Sequence, residues 1–195
     1  INGFNLKNDV SASIRGNTLR GAGDFDKDGY DDFAMTILFG VDCNTNQAYM
    51  VYGRPAWPVD LNLRDINRTG GFSIMLDCLE NSATSIGSAG DVNADGYPDL
   101  LIGSSSGGKN KTGEAYVLYG GKARPSSINL SNLNGTKGFT LIGVNPRDDT
   151  GWFVSGVKDV NGDRIDDFAI GAPNADNNTG VTYVVFGSDG TSVEN

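Results

Sequence analysis

Three stretches decide how this chain is read: Asp24-Phe25-Asp26-Lys27-Asp28-Gly29-Tyr30-Asp31-Asp32, Asp91-Val92-Asn93-Ala94-Asp95-Gly96-Tyr97-Pro98-Asp99 and Asp159-Val160-Asn161-Gly162-Asp163-Arg164-Ile165-Asp166-Asp167. Each carries an oxygen-bearing side chain at positions 1, 3, 5 and 9. On a tightly turning loop alternate side chains converge on one point, position 7 adds its backbone carbonyl, and Gly at position 6 lets the chain reverse with φ > 0. A donor set of oxygen alone selects Ca²⁺, with Mg²⁺ second because it tolerates irregular geometry poorly. Three Ca²⁺ sites are therefore expected. Their ligands would be Asp24, Asp26, Asp28, Tyr30 and Asp32; Asp91, Asn93, Asp95, Tyr97 and Asp99; and Asp159, Asn161, Asp163, Ile165 and Asp167.

Asp-Gly and Asn-Gly also make hairpin turns that need no ion. Packing three to five carboxylates into nine residues three times over is costly without a cation, because like charges raise each other's pKa and resist folding. The three sites are expected to be unequal. The first has carboxylates at all four of positions 1, 3, 5 and 9 (Asp24, Asp26, Asp28, Asp32), the second and third replace position 3 by Asn93 and Asn161, and the third has Arg164 where Gly is expected. The third should be the weakest.

Around the loops the text repeats. Gly-Phe recurs at Gly3-Phe4, Gly71-Phe72 and Gly138-Phe139, and an aromatic-Gly pair at Tyr52-Gly53, Tyr119-Gly120 and Phe186-Gly187; these landmarks and the loops step by 67 or 68 residues. Short apolar runs bounded by Gly, Asn and Asp read as strands, near Ser85–Asp91, Asp99–Ser104, Glu114–Gly120 and Gly138–Gly143 in the middle unit, with Phe33–Phe39, Tyr49–Gly53 and Phe72–Leu76 before them. No helix-length periodicity is present. Four strands per repeat make a β-propeller blade, which must stack on its neighbours to bury its faces. The fold class is therefore all-β: three four-stranded repeats of about 67 residues. Residues 1–195 form a single segment, with blade 1 at 17–80, blade 2 at 81–147, and blade 3 at 148–195 lacking its outer strand. Residues 1–16 would supply the outer strand of a neighbouring blade. The stretches from Pro55 to Leu63 and from Pro125 to Leu130 read as long connections between third and fourth strands.

With 195 residues the chain can bury a core without disulfide staples. Its net charge of -9 repels phosphate backbones, which argues against nucleic acid, and no apolar run is long enough to insert in a membrane. The chain has no His, so the usual general base is missing, and no nucleophile–base pair stands out. The expectation is a protein that is not an enzyme.

The loops, the segment Ala169-Ile170-Gly171-Ala172-Pro173 and the run Val181 to Gly187 resemble the FG-GAP repeats of integrin α-subunit β-propellers, and the match extends over the whole chain. Leu101 to Ser105 and Thr36 to Gly40 depart from the family's Gly-Ala-Pro segment. The resemblance implies a secreted or cell-surface Ca²⁺-dependent propeller, with ion loops on one side and ligand-binding loops on the other. In that geometry Cys43 and Cys78 project from one face and are candidates for a disulfide, two buried free thiols being the alternative. Asn67, Asn110, Asn129, Asn134 and Asn177 begin glycosylation sequons, some of them accidental in so Asn-rich a chain.

Three blades cannot close a ring. Further blades of the same chain, or other copies joined head to tail as a ring or filament, would complete it. The function expected is adhesion or extracellular assembly, with a protein or glycan ligand and the ions acting structurally. The alternatives are a lectin-type propeller, with Trp57 and Trp152 as candidate platforms, and a non-catalytic propeller within a larger secreted enzyme or receptor. Asp148, Asp149 and Asp176 on the presumed binding face could serve a ligand; solvated loop charge is the plainer account.

Overall fold

A computed structural model describes residues 3–7, 18–37, 47–75 and 85–190. Its strands are β1 (Asn5–Lys7), β2 (Leu19–Gly23), β3 (Asp32–Ile37), β4 (Gln47–Val51), β5 (Asp60–Asn62), β6 (Gly71–Met75), β7 (Ser85–Gly90), β8 (Asp99–Ser104), β9 (Glu114–Leu118), β10 (Ser127–Asn129), β11 (Gly138–Ile142), β12 (Phe153–Lys158), β13 (Asp167–Ala172) and β14 (Val181–Val185). Among the described residues the helical segments are α1 (Ile66–Thr69) and α2 (Ala175–Asn178), four residues each, with Asp176 and Asn177 of α2 at positive φ. Among the described residues no helix is long and apolar enough to cross a membrane.

The fold is mostly β and repeats the same antiparallel sheet. The first sheet runs β2-β3-β4-β6, the second β7-β8-β9-β11 and the third β12-β13-β14. Registers repeat as well: Phe33 pairs with Val51, Leu100 with Leu118 and Phe168 with Val185. Each first strand breaks register just before its acidic loop, between Gly21 and Gly23, Ser88 and Gly90, and Gly156 and Lys158. Such a bulge twists the strand end and aims the loop.

The segments read as plain connections contain short strands. β10 adds to β6 in parallel, so the second repeat contributes a fifth strand to the first sheet, and β5 adds to β1 in the same way. Three-residue strands leave too little alternation to be read from sequence. Their pairing partner also lies in another repeat.

Two apolar clusters join the sheets. Ala34, Met50, Tyr52 and Phe72 of the first pack with Ile86, Leu100, Ile102 and Leu118 of the second, and Leu101 and Val117 of the second pack with Val154, Phe168 and Ile170 of the third. Burying each large side chain contributes about 1.5–3 kcal/mol. A third cluster covers the other face of the first sheet: Met35, Tyr49 and Val51 lie under Leu61, Leu63 and Ile66, with Phe4, Leu6 and Trp57 against them. Among the described residues no segment covers the far face of the third sheet. Val184 is 51% exposed, while Met50 and Val117 at the matching register are fully buried.

Candidate metal centre

Each acidic loop joins the first and second strands of its sheet, and side-chain oxygens close it on its own backbone. The position 1 carboxylate accepts the N–H groups of positions 5 and 6: Asp24 from Asp28 and Gly29 at 2.9 and 3.0 Å, Asp91 from Asp95 and Gly96 at 3.1 and 2.8 Å, and Asp159 from Asp163 and Arg164 at 3.1 and 2.8 Å. Position 5 then accepts from position 7, as in Tyr30 N to Asp28 Oδ1 at 3.0 Å. The same bond runs from Tyr97 to Asp95 and from Ile165 to Asp163.

Position 9 has a different task. Asp32, Asp99 and Asp167 are at most 2% exposed, and each uses both oxygens as a clamp. One oxygen accepts from position 2 of the loop (Phe25, Val92, Val160) at 2.8–2.9 Å, the other from the Gly of the aromatic-Gly pair (Gly53, Gly120, Gly187) at 2.7–2.9 Å. The loop is thus tied to the end of the third strand. A Cβ at Gly53, Gly120 or Gly187 would stand 2.4, 2.3 or 2.4 Å from the position 8 carbonyl of the loop, and this close approach explains the recurrent glycine. Burial pushes the carboxyl of Asp32 up to about 6 and that of Asp99 to about 7, although both accept two N–H bonds.

The loops are also chained across repeats. Gly121 N donates to the Phe25 carbonyl and Ser188 N to the Val92 carbonyl, both at 2.9 Å, so each third strand docks on the loop of the preceding sheet. Phe25 and Val92 are 3% and 4% exposed, whereas Val160, the equivalent in the third loop, is 56% exposed.

Among the described residues the model brings three carboxylates together in one loop. Asp24, Asp26 and Asp28 each offer an oxygen within 4.8 Å of the others. Asp26 is buried, and within its loop neither of its oxygens makes a well-formed hydrogen bond. Its Oδ2 instead lies 2.5 Å from Nη2 of Arg124, which also pairs with Asp28 Oδ2 at 2.8 Å. Burial pushes the Asp26 carboxyl up, and the Arg124 charge offsets part of that rise. In the second and third loops an amide takes this place: Asn93 Nδ2 donates to Asp95 Oδ2 and Asn161 Nδ2 to Asp163 Oδ2, each at 2.9 Å. The hard donor set of the first loop, three clustered carboxylates against one guanidinium, fits a divalent cation.

The third loop departs in backbone as well. Gly29 and Gly96 have φ of 97° and 88°, and Arg164 holds the same turn at 74° with a side chain attached. Its N–H, with those of Gly162 and Asp163, keeps the Asp159 carboxyl below the usual range.

Other residues singled out from the sequence fall as follows. Cys43 and Cys78 lie outside the described residues. Asn67, Asn110, Asn134 and Asn177 are exposed and Asn129 is half-buried. Asn67, Asn129 and Asn134 accept backbone N–H bonds through Oδ1. Trp57 stacks on Phe4 with ring centroids 4.1 Å apart, and Trp152 is 43% exposed beside Phe153. Asp148 is buried, bonded to Asn145 Nδ2 at 3.1 Å, and is not solvated loop charge; Asp149 accepts from Asn174 Nδ2 at 2.7 Å, and Asp176 from the Thr179 hydroxyl at 3.1 Å. Sequence reasoning missed Arg124 because it lies 96 residues from Asp28.

An FG-GAP repeat model matches residues 83–118 and 150–185, which hold the first three strands and the loop of the second and third repeats. Integrin alpha pat-2 of Caenorhabditis elegans is 30% identical over 76% of this chain, and that of Caenorhabditis briggsae 30% over 87%. Phosphatidylinositol-glycan-specific phospholipase D of Bos taurus is 36% identical over 50% of the chain. The chain spans only 12–14% of the length of these relatives. The integrin α matches are longer than the phospholipase match, and the segment is a non-enzymatic module. The loops, the 67-residue step and these similarities together make the chain an FG-GAP repeat protein similar to integrin α chains.

Proposed function

We propose that this chain is a segment of an extracellular β-propeller in which Ca²⁺ holds the three acidic loops and the assembly serves adhesion or structural scaffolding. The observation that carries the reading is Asp26, a buried carboxylate beside two further carboxylates whose oxygens lie within 4.8 Å, the three answered by the single guanidinium of Arg124. One guanidinium leaves part of the charge of three clustered carboxylates unbalanced, at a cost that a bound divalent cation removes. On this reading positions 1, 3, 5, 7 and 9 of each loop supply the ligands, and the third site is the weakest. The ions lock the turn between first and second strands and add to the hydrogen bonds already there. A catalytic part for them does not arise, since the carboxylates are engaged in holding the loop.

The sheets are read as blades at 17–80, 81–147 and 148–195, with 1–16 carrying the outer strand of a neighbour. In support, β1–β5 repeats the pairing of β6–β10 at matching register. The exposed Val160, Val184 and Phe186 support a further sheet against the third, from the same chain or another copy. Secretion or surface display, a Cys43–Cys78 bridge and glycans on the sequons belong to the same reading, with a protein or glycan as ligand.

Calorimetric Ca²⁺ titration, with mass measurement in solution with and without chelator, tests it. Three sites are expected, each silenced by Ala at its position 1 Asp, together with a change in assembly or stability on chelation. Absence of Ca²⁺ binding at millimolar concentration would end the proposal.

A further inference from the structure

We propose that Arg124 is a built-in competitor for the cation of the first loop, so that this loop exchanges a guanidinium of the next repeat for a metal ion. The inference rests on the metal reading above.

In each loop the backbone takes up part of the carboxylate valence and leaves a few oxygens open. In the first loop Asp24 accepts N–H bonds at both oxygens, and Asp28 Oδ1 accepts from Tyr30. The Asp28 N–H, which donates to Asp24 Oδ1 at 2.9 Å, also faces Asp26, and within the loop no well-formed bond reaches Asp26 Oδ1, Asp26 Oδ2 or Asp28 Oδ2. Arg124 sits on two of these three. In the other loops the matching position 5 oxygen accepts from the Asn at position 3, and a carboxylate at position 3 cannot donate. The donor in the first loop therefore comes from outside it.

Arg124 is held in place for this. Its guanidinium carbon is 4.7 Å from the centroid of the buried Tyr52 ring, a cation–π seat, and the Gly121 N to Phe25 O bond fixes its segment against the loop. A divalent ion in this loop needs the same open oxygens, so ion and guanidinium contend for them. With metal absent, Arg124 offsets part of the cluster's charge and ties the second repeat to the first. With metal bound, that tie is given up and the guanidinium turns to solvent, where half of it already lies. The first loop then binds its ion less tightly than four carboxylates would otherwise allow.

Calorimetry on the wild type, Arg124→Gln and Asp24→Ala tests this, the first-loop site being the one lost in Asp24→Ala. Arg124→Gln is expected to tighten that site about tenfold, leave the others unchanged and lower the thermal midpoint in chelator. Unchanged or weaker affinity in Arg124→Gln overturns the inference alone and makes the arginine a structural or ligand-orienting group. If Asp24→Ala loses no ion, the metal reading of the loop fails, and this inference with it. A second measurement needs no variant: the rate at which phenylglyoxal modifies Arg124 in the wild type, mapped by mass spectrometry, should rise several-fold when Ca²⁺ replaces chelator. Equal rates overturn the exchange.

Discussion

The first and third acidic loops share a backbone and differ in charge. In both, the position 1 carboxylate gathers the N–H groups of positions 5 and 6, and the position 9 carboxylate clamps the loop to the third strand. The first adds a buried carboxylate at Asp26 and answers it with Arg124; the third has Asn161 and places Arg164 in the left-handed turn. The hydrogen-bonded frame therefore does not depend on the charges mounted on it. Charge and turn strain set how well each loop can take a cation.

The largest effect should come from breaking the shared clamp. Asp32→Ala and Asp167→Ala each strip the partners from two backbone N–H groups and should cost about 2–5 kcal/mol in urea unfolding with chelator. The two losses should agree to within about 1 kcal/mol, and a wider gap would show that the clamps are not equivalent. Gly53→Ala and Gly187→Ala come next, at about 2–3 kcal/mol each, since the new Cβ meets a backbone carbonyl at 2.4 Å and one of the two must move.

A pH series in chelator sharpens the contrast. Asp32 has its carboxyl raised to about 6 in the fold, so the folded state binds its proton more tightly than the unfolded chain does. Its contribution is fully present below about pH 4 and is lost as pH rises through about 6; Asp99 extends the loss to about 7. The metal-free melting midpoint should fall across that window. Asp32→Asn should remove the portion below about 6, and a midpoint that rises there would contradict the assignment. The smallest effect is in the third loop, where Arg164→Gly should gain about 1 kcal/mol by relieving a side chain at positive φ. Gly29→Arg should lose a similar amount, both read from thermal melts.

The faces of the first and third sheets carry the same lesson at larger scale. Phe25, Met50 and Tyr52 are sealed by the second sheet, through Ile86, Leu100 and Leu118, whereas their counterparts Val160, Val184 and Phe186 face outward. The residue types at matching positions are alike; what differs is whether another segment reaches them.

The sequence by itself determined the repeat, the strand-loop-strand order and the oxygen positions of the loops, because these rest on contacts within a few residues and on a period that recurs three times. It also carried the recurrent glycines without their reason. Only the tertiary structure decided that position 9 is a buried clamp, that β5 and β10 pair across repeats, that Asp148 is buried, and that Arg124 answers Asp26. Apart from the burial of Asp148, these join residues far apart in the chain, and such pairings leave no local pattern of propensity or spacing to be read.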